Sequence, residues 1–162
     1  MSWSSIVMRV ADIIESDSDL PVTKCYRYPP NAIDNGILPC VVLLPQADNS
    51  MTWIGGNRHS VNYILQARIY ISRFNTELTP TGQFDVLTYL DLFRVAFLSR
   101  PQLQLNDTAL TGVAGNILFS TVQGLNRPVD YPPNSRLSLF WGCIVQLTIP
   151  FVSVIPMKIT GN

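Results

Sequence analysis

The sequence predicts an α+β fold: an antiparallel β-sheet with two amphipathic helices packed on one face. Two long stretches alternate apolar and polar residues with a period of two, which is typical of strands with one buried face. Two other stretches place apolar residues at helical spacing. Two helices cannot bury their apolar sides against each other and also cover every strand, so both are expected on one face of the sheet. The other face then meets water, a lid or another subunit.

The length and composition indicate a single domain, residues 1–162, with little charge on its surface. A chain of this size can bury a core without disulfides or metal. Only 14% of its residues are charged, against about 25% in typical domains. Interface centres are depleted in charge, so this composition favours a subunit that hides part of its surface against neighbours. An ordinary β-rich domain with a neutral polar coat is the alternative.

The charge balance and the cysteines argue against several classes of partner. Eleven basic and eleven acidic residues give zero net charge, which removes the attraction behind strong binding to nucleic acid or anionic membranes. No signal-peptide pattern opens the sequence, so synthesis and function in the cytosol are expected. Cys25, Cys40 and Cys143 are odd in number and widely spaced, which predicts buried thiols without a disulfide or zinc site.

The first part of the chain predicts a helix, a connector and a short strand. From Ser2 to about Ser16 apolar residues recur at helical spacing, and Ser2 or Ser4 can cap the helix. Prolines between Pro21 and Pro39 forbid a long helix and indicate an extended connector. The apolar run from Cys40 to Leu44 predicts a short strand that ends at Pro45.

A polar loop is predicted from Gln46 to Ser60. Within it, Met51, Trp53 and Ile54 precede the segment Gly55-Gly56-Asn57-Arg58-His59. Large apolar residues beside a glycine turn indicate a hairpin tip or a protruding contact loop.

The middle of the chain predicts a long strand, a second helix and two further strands. The long strand alternates from Val61 to Ile71. Thr79 or Thr81 can cap the helix, which ends before Pro101. Strands are predicted within Leu103 to Leu110 and within Val113 to Leu125, and a rigid loop from Arg127 to Asn134 follows. The apolar side of the helix is expected to comprise Phe84, Leu87, Leu90, Phe93, Val95, Phe97 and Leu98.

The chain from Leu137 to Met157 carries no charged side chain. Its length suggests a membrane span, which needs about 20 apolar residues. Its odd positions from Leu137 to Phe151 are all apolar, however, and a helix would scatter them around its axis. The run therefore predicts a long strand whose odd positions face inward, followed by a short tail after Pro156. Three residues on its other face are expected to need a neighbouring subunit: Phe140, Ile144 and Val152.

No residue pattern predicts a catalytic, metal or cofactor site. His59 is the only histidine, and the sequence contains no nucleophile elbow of the Gly-x-Ser-x-Gly type. Asp17-Ser18-Asp19 lacks the glycine and the terminal glutamate of a calcium loop. Gly55-Gly56 lacks the lysine of a phosphate-binding loop. Three arginines are interpreted as plain surface charges: Arg58, Arg68 and Arg73.

The order of segments carries a family resemblance. The chain runs through a helix (Ile6 to Ile14), a connector (Tyr26-Arg27-Tyr28-Pro29-Pro30), a short strand (Leu38 to Pro45), a long strand (Tyr63 to Ile71), a helix (Phe84 to Leu98) and a terminal strand (Leu139 to Ile149). This layout, over nearly the whole chain, resembles that of the tail terminator and tail-completion proteins, or head-tail joining proteins, of long-tailed bacteriophages.

The resemblance implies a structural virion protein that forms a ring, typically a hexamer, at the head-proximal end of the tail tube. The ring would stop tube growth and join tail to head, after assembly in the host cytoplasm. Its partners would be further copies of itself, the tail tube protein and a head-completion or neck protein. Heterologous contacts that close a ring suit a subunit of low charge, and edge strands of neighbours would pair. The interface residues expected on this hypothesis are Met51, Trp53, Ile54, Arg58, His59, Phe140, Ile144 and Val152.

Other functions remain as alternatives at this point. A tail-tube or head-closure subunit would stack into filaments or bind the portal instead. A small-molecule-binding β-rich domain would hold an apolar ligand against Trp141, Phe140 or Phe119. An enzyme is the least favoured class, because the sequence offers no paired acid and base.

Overall fold

The structure is a computed structural model that describes residues 3–48, 51–74, 81–123 and 127–155. Its helices and strands, in chain order, are α1 (Trp3–Ser16), β1 (Lys24–Tyr26), β2 (Cys40–Asp48), β3 (Thr52–Gly55), β4 (Arg58–Arg73), α2 (Thr81–Leu98), β5 (Leu118–Gln123), β6 (Val129–Tyr131) and β7 (Ser138–Val154). A turn of 3-10 helix, Asn35–Ile37, lies between β1 and β2. The caps expected at Ser2 and Thr79 and the tail after Pro156 lie outside the described residues.

The strands form one mixed sheet with the central order β1-β2-β4-β7-β5. β3 pairs with β4 beyond the end of β2, and β6 pairs with β7 on the side of β5. β1 runs parallel to β2, whereas the other pairs are antiparallel. The α+β class is confirmed, but the prediction of a purely antiparallel sheet is wrong. Residues 27–39 cross over the sheet instead of turning back beside β1, so β2 starts in the same direction as β1.

β4 and β7 form the centre of the sheet and confirm the two long strands predicted from period-two alternation. They pair from Arg58 opposite Val154 to Arg73 opposite Phe140, with one bulge. The charge-free run is thus a strand over Ser138–Val154. In the described ranges, no helix is long and apolar enough to cross a membrane.

Both helices pack on the same face of the sheet, as predicted. They cover the odd positions of β4 and β7, and each large side chain buried there contributes about 1.5–3 kcal/mol. The helix residues at the centre of this first core are Ile6, Val10, Ile13, Ile14, Val86, Leu90, Phe93 and Phe97. The strand residues below them include Leu43, Tyr63, Leu65, Ile69, Cys143, Leu147 and Phe151. Three residues of the expected apolar side of α2 are exposed instead: Leu87, Val95 and Leu98.

A second, smaller core lies on the opposite face of the sheet, under a lid. The lid consists of residues 27–39, which belong to the predicted extended connector, and strand β6, which was expected to be part of a rigid loop. The buried side chains of this second core are Ile33, Cys40, Val42, Tyr70, Val129, Tyr131, Phe140 and Ile144. Phe140 and Ile144 are only 1% and 3% exposed. The expectation that these two residues need a neighbouring subunit is therefore wrong, because the lid of the same chain covers them.

Three smaller predictions also differ from the structure. β2 continues through Pro45 to Asp48, because the proline stands at a bulge in a strand that lacks a second neighbour there. The strand expected within residues 103–110 is absent, and Leu105 and Thr108 form only an isolated bridge. The strand expected within residues 113–125 is confined to β5.

Candidate interaction surfaces

The predicted polar loop is a β-hairpin made by β3 and the start of β4. Gly55 and Gly56 form its turn with φ values of +120° and +60°, which favour glycine. The hairpin extends the sheet beyond β2, since β3 pairs with Ser60 whereas the pairing of β2 ends at Tyr63. The alternative of a hairpin tip is thus the one that the structure shows.

Five of the predicted interface residues come together on this hairpin, which we call the hairpin surface: Met51, Trp53, Ile54, Arg58 and His59. The Trp53 side chain is 66% exposed, and its indole N–H donates to the carbonyl of Gly56 at 2.8 Å. This bond holds the ring across the turn. Met51 and Ile54 are also exposed, so the hairpin presents apolar area to solvent at a fixed position.

The other three predicted interface residues do not join the hairpin surface. Val152 stands opposite Ser60, and Ser60 opposite Thr52, so Val152 lies at the hairpin end of the sheet but not on the side of Trp53. Phe140 and Ile144 lie in the second core and have almost no exposed surface.

The α2 stripe, defined as Leu87, Val95 and Leu98, is an apolar surface that the sequence did not distinguish from the core. Val95 and Leu98 are 67% and 59% exposed. Beside the stripe, a cavity of about 500 Å³ lies between the end of α1 and α2, lined by Leu92, Val95, Arg100 and residues 16–19. Arg100 donates to the Asp17 carboxylate at 2.9 Å in this cavity. Asp17 thus ends a helix and pairs with an arginine rather than serving a calcium loop.

The sheet face that the lid leaves uncovered mixes apolar and amide side chains. One row across it joins Leu118, Thr148 and Ile64, and the next joins Ser120, Gln146 and Gln66. Leu118 is 66% exposed, whereas Ile64, Thr148 and both glutamines are half-buried. This composition resembles that of protein interfaces more than that of a core.

A buried ion pair anchors β6 of the lid to the sheet. The Arg68 Nη2 atom donates to the carboxylate and carbonyl oxygens of Asp130 at 3.0 and 2.9 Å, and its Nε donates to the Tyr70 hydroxyl at 2.8 Å. Burial raises the pKa of Tyr70 above its usual range. The interpretation of Arg68 as a plain surface charge is therefore wrong, because residues far along the chain close over it.

A basic cleft lies next to this ion pair, where β5 ends. It has a volume of about 320 Å³ and is lined by Gln123, Arg127, Pro128, Asp130, Asn134, Arg136 and Leu139. Arg127 and Arg136 make no hydrogen bond or ion pair with any residue that the structure describes. No pattern in the sequence indicates this cleft, since its arginines stand in a loop without periodicity.

The residues with chemical reactivity are dispersed or buried. Cys25, Cys40 and Cys143 are buried and free, as predicted. Their burial raises the pKa of each thiol to about 12. Among residues in the described ranges, no group of three or more His, Cys, Asp or Glu side chains could hold a metal ion.

The three aromatic residues considered for an apolar ligand lie in separate environments. Phe119 stacks on Phe97, Phe140 lies in the second core, and Trp141 packs beside Phe74 at 5.0 Å. They do not line a common cavity.

Comparison with known protein families and with curated proteins finds no match to this sequence. The arrangement of surfaces on the subunit, together with the segment layout, is therefore the basis for a functional proposal.

Proposed function

We propose that this protein is a structural virion subunit that forms a ring at the head-proximal end of a bacteriophage tail tube. The ring ends tube growth and joins tail to head, through contacts with the tail tube protein and a head-completion or neck protein. The order of segments along the chain supports this proposal, since it resembles that of tail terminator and tail-completion proteins. A hexamer is the copy number that the resemblance implies.

The observation that carries the proposal is a pair of unlike apolar surfaces at separate places on one subunit. The hairpin surface extends from β4 on the side of β2. The α2 stripe belongs to the helix layer, where Val95 borders the cavity at the end of α1. A patch that contacts a different patch makes a heterologous interface, and such interfaces close into rings when the rotation between copies closes.

The shapes of the two surfaces favour contact between them. The hairpin presents the Trp53 ring at a fixed position, and the α2 stripe borders a cavity lined by Leu92 and Val95. Aromatic side chains that fill pockets are common anchors of protein interfaces. In the ring we therefore expect the hairpin of one copy to insert beside α2 of the next.

Light scattering combined with negative-stain imaging of the purified protein tests this proposal. Closed rings of uniform mass are expected. Filaments would indicate a tail-tube subunit, and a stable monomer that binds a hydrophobic probe would indicate a ligand-binding domain. Either of these results would contradict the terminator assignment.

The predicted contact is testable by disulfide trapping. Ile54→Cys on the hairpin and Val95→Cys on the α2 stripe, placed in one chain, should form covalent chains of several copies under mild oxidation. A matched control moves the second cysteine to the lid as Tyr28→Cys, another exposed position. Equal cross-linking of both pairs would contradict contact between the hairpin and α2.

A further inference from the structure

β5 is an exposed strand edge whose first four residues lack the usual protection. Among the described strands it pairs with β7 on one side only, and its sequence, LFSTVQ, contains no charge and no proline. Its one bulge lies at the end, between Thr121 and Gln123, so residues 118–121 remain regular. Natural sheets protect their edges with charges, prolines, bulges or very short strands. The other edge is protected in these ways: β1 is three residues long and contains Lys24, and β2 contains Pro45 at a bulge. The outer edge of residues 118–121 is thus the place where another strand can add.

The same edge leads into the basic cleft. Gln123, the last residue of β5, lines the cleft together with Arg127 and Arg136. The carboxylate of Asp130 also borders the cleft, but Arg68 already neutralises it. Two guanidinium groups therefore remain without a counter-charge from any described residue.

Most other arginines of the described ranges are engaged. Arg27, Arg94 and Arg100 pair with carboxylates, and Arg9 and Arg73 donate to backbone carbonyls. Arg58 on the hairpin has no such bond but does not line the cleft. The two cleft arginines are thus distinguished both by position and by the absence of a partner in the described structure.

The loop that carries Arg136 has an unusual and well-fixed backbone. Asn134 and Arg136 have φ values of +63° and +55°, a region that is uncommon outside glycine and rarer for arginine than for asparagine. The turn is held by Ser135, whose N–H and hydroxyl both donate to the carbonyl of Pro132. Residues kept in such conformations cluster at functional sites. The loop holds the Arg136 backbone in place beside the end of β5.

We propose that an extended acidic segment of another protein adds as a strand to β5 and places its carboxylates in the basic cleft. Backbone hydrogen bonds would hold the strand, as in other cases of strand addition. Guanidinium groups bind carboxylates in a bidentate geometry that also fixes register. Alternate side chains of the added strand would lie on the same face as the exposed Leu118.

The acidic segment belongs to a different protein rather than to a second copy of this chain. On the opposite side, β1 and β3 contain neither Asp nor Glu, and the part of β2 that extends beyond β1 contains a single carboxylate, Asp48. None of these strands can therefore present two carboxylates to the two cleft arginines. The inference does not rest on the ring, since an isolated subunit has the same edge and cleft.

A synthetic peptide tests the inference directly. The probe is a blocked peptide of five alternating Thr and Val residues with two Glu residues at each end, so that either strand direction brings carboxylates to the cleft. Binding to the isotope-labelled full chain is followed by NMR, with shifts expected at the amides of Leu118–Gln123. A matched probe with Gln in place of Glu should bind at least about tenfold more weakly. A probe with N-methylated Thr and Val should not bind.

Variants of the protein locate the charge effect. Arg127→Gln combined with Arg136→Gln should remove the difference between the Glu and Gln probes while the circular dichroism spectrum stays unchanged. Arg58→Gln, a change of the same kind outside the cleft, should keep the difference. Equal affinity for the two probes, shifts that map away from β5, or no binding at all would each overturn the inference. Ring formation is measured separately, so its failure would not be confused with these results.

Discussion

Removal of the Asp130 carboxylate should destabilise the fold through the charge that it leaves behind. The Arg68 side chain is 7% exposed and that of Asp130 is 19% exposed, so Asp130→Ala strands a guanidinium in the second core. Breaking a buried pair in this way costs about 3–5 kcal/mol. The partial exposure of Asp130 and the remaining bonds of Arg68 to Tyr70 and to the backbone place the expected loss near the lower end, at about 3 kcal/mol.

Urea unfolding followed by circular dichroism measures this loss as a change in the free energy of unfolding. A matched control is Asp91→Ala, which breaks the exposed pair with Arg94 at 3.4 Å. It should change stability by less than about 0.5 kcal/mol. The double variant Arg68→Met/Asp130→Ala removes both charges and should recover to within about 1 kcal/mol of the parent protein.

Two results would refute this reasoning. One is a loss below about 1 kcal/mol for Asp130→Ala, which would show that the pair behaves like a surface ion pair. The other is a double variant as unstable as Asp130→Ala alone, which would show that the stranded charge is not the cause.

Three further predictions concern assembly, packing and pH. Trp53→Ala should leave the unfolding free energy within about 0.5 kcal/mol but reduce the assembled mass in light scattering, whereas Tyr28→Ala, also an exposed aromatic, should change neither. Gly142→Ala should lower the free energy of unfolding in urea by at least about 1–3 kcal/mol, because the new Cβ would stand 1.9 Å from the carbonyl oxygen of Ile69. An unchanged free energy of unfolding would contradict the close approach of β4 and β7. Burial raises the pKa of the three thiols from 9.0 to about 12, so the folded state favours their neutral form. The free energy of unfolding should therefore be unaffected by the thiols below pH 9 and should fall as pH rises toward 12. A free energy of unfolding that is flat across this range would contradict burial of the cysteines.

The helices and strands in which apolar residues recur at a regular spacing were predictable from the sequence. The alternation in β4 and β7 identified the buried face, and the helical spacing in α1 identified the side that packs on it. The second core could not be found in this way. Ile33 and Val129 are single apolar residues in proline-containing segments, and nothing in their spacing shows that they meet above Phe140.

The surfaces were predicted only where large apolar residues stand in a polar segment. Trp53 and Ile54 were identified because a glycine turn follows them, and they are exposed on the hairpin. Val95 was assigned to the core, since apolar residues recur all around α2 and periodicity cannot separate a buried side from an exposed one. The pair of Arg68 and Asp130 joins residues far apart in the chain, which no local pattern can indicate.

The most direct test of the proposed role is tail-tube growth in the presence of this protein. Tail-tube subunits of a long-tailed bacteriophage are allowed to polymerise with and without it, and tube lengths and ends are measured by negative-stain imaging. We expect shorter tubes that carry a ring of extra density at one end, and tubes of ordinary length with Trp53→Ala. Tubes of unchanged length with bare ends would contradict the proposal that this protein terminates the tail.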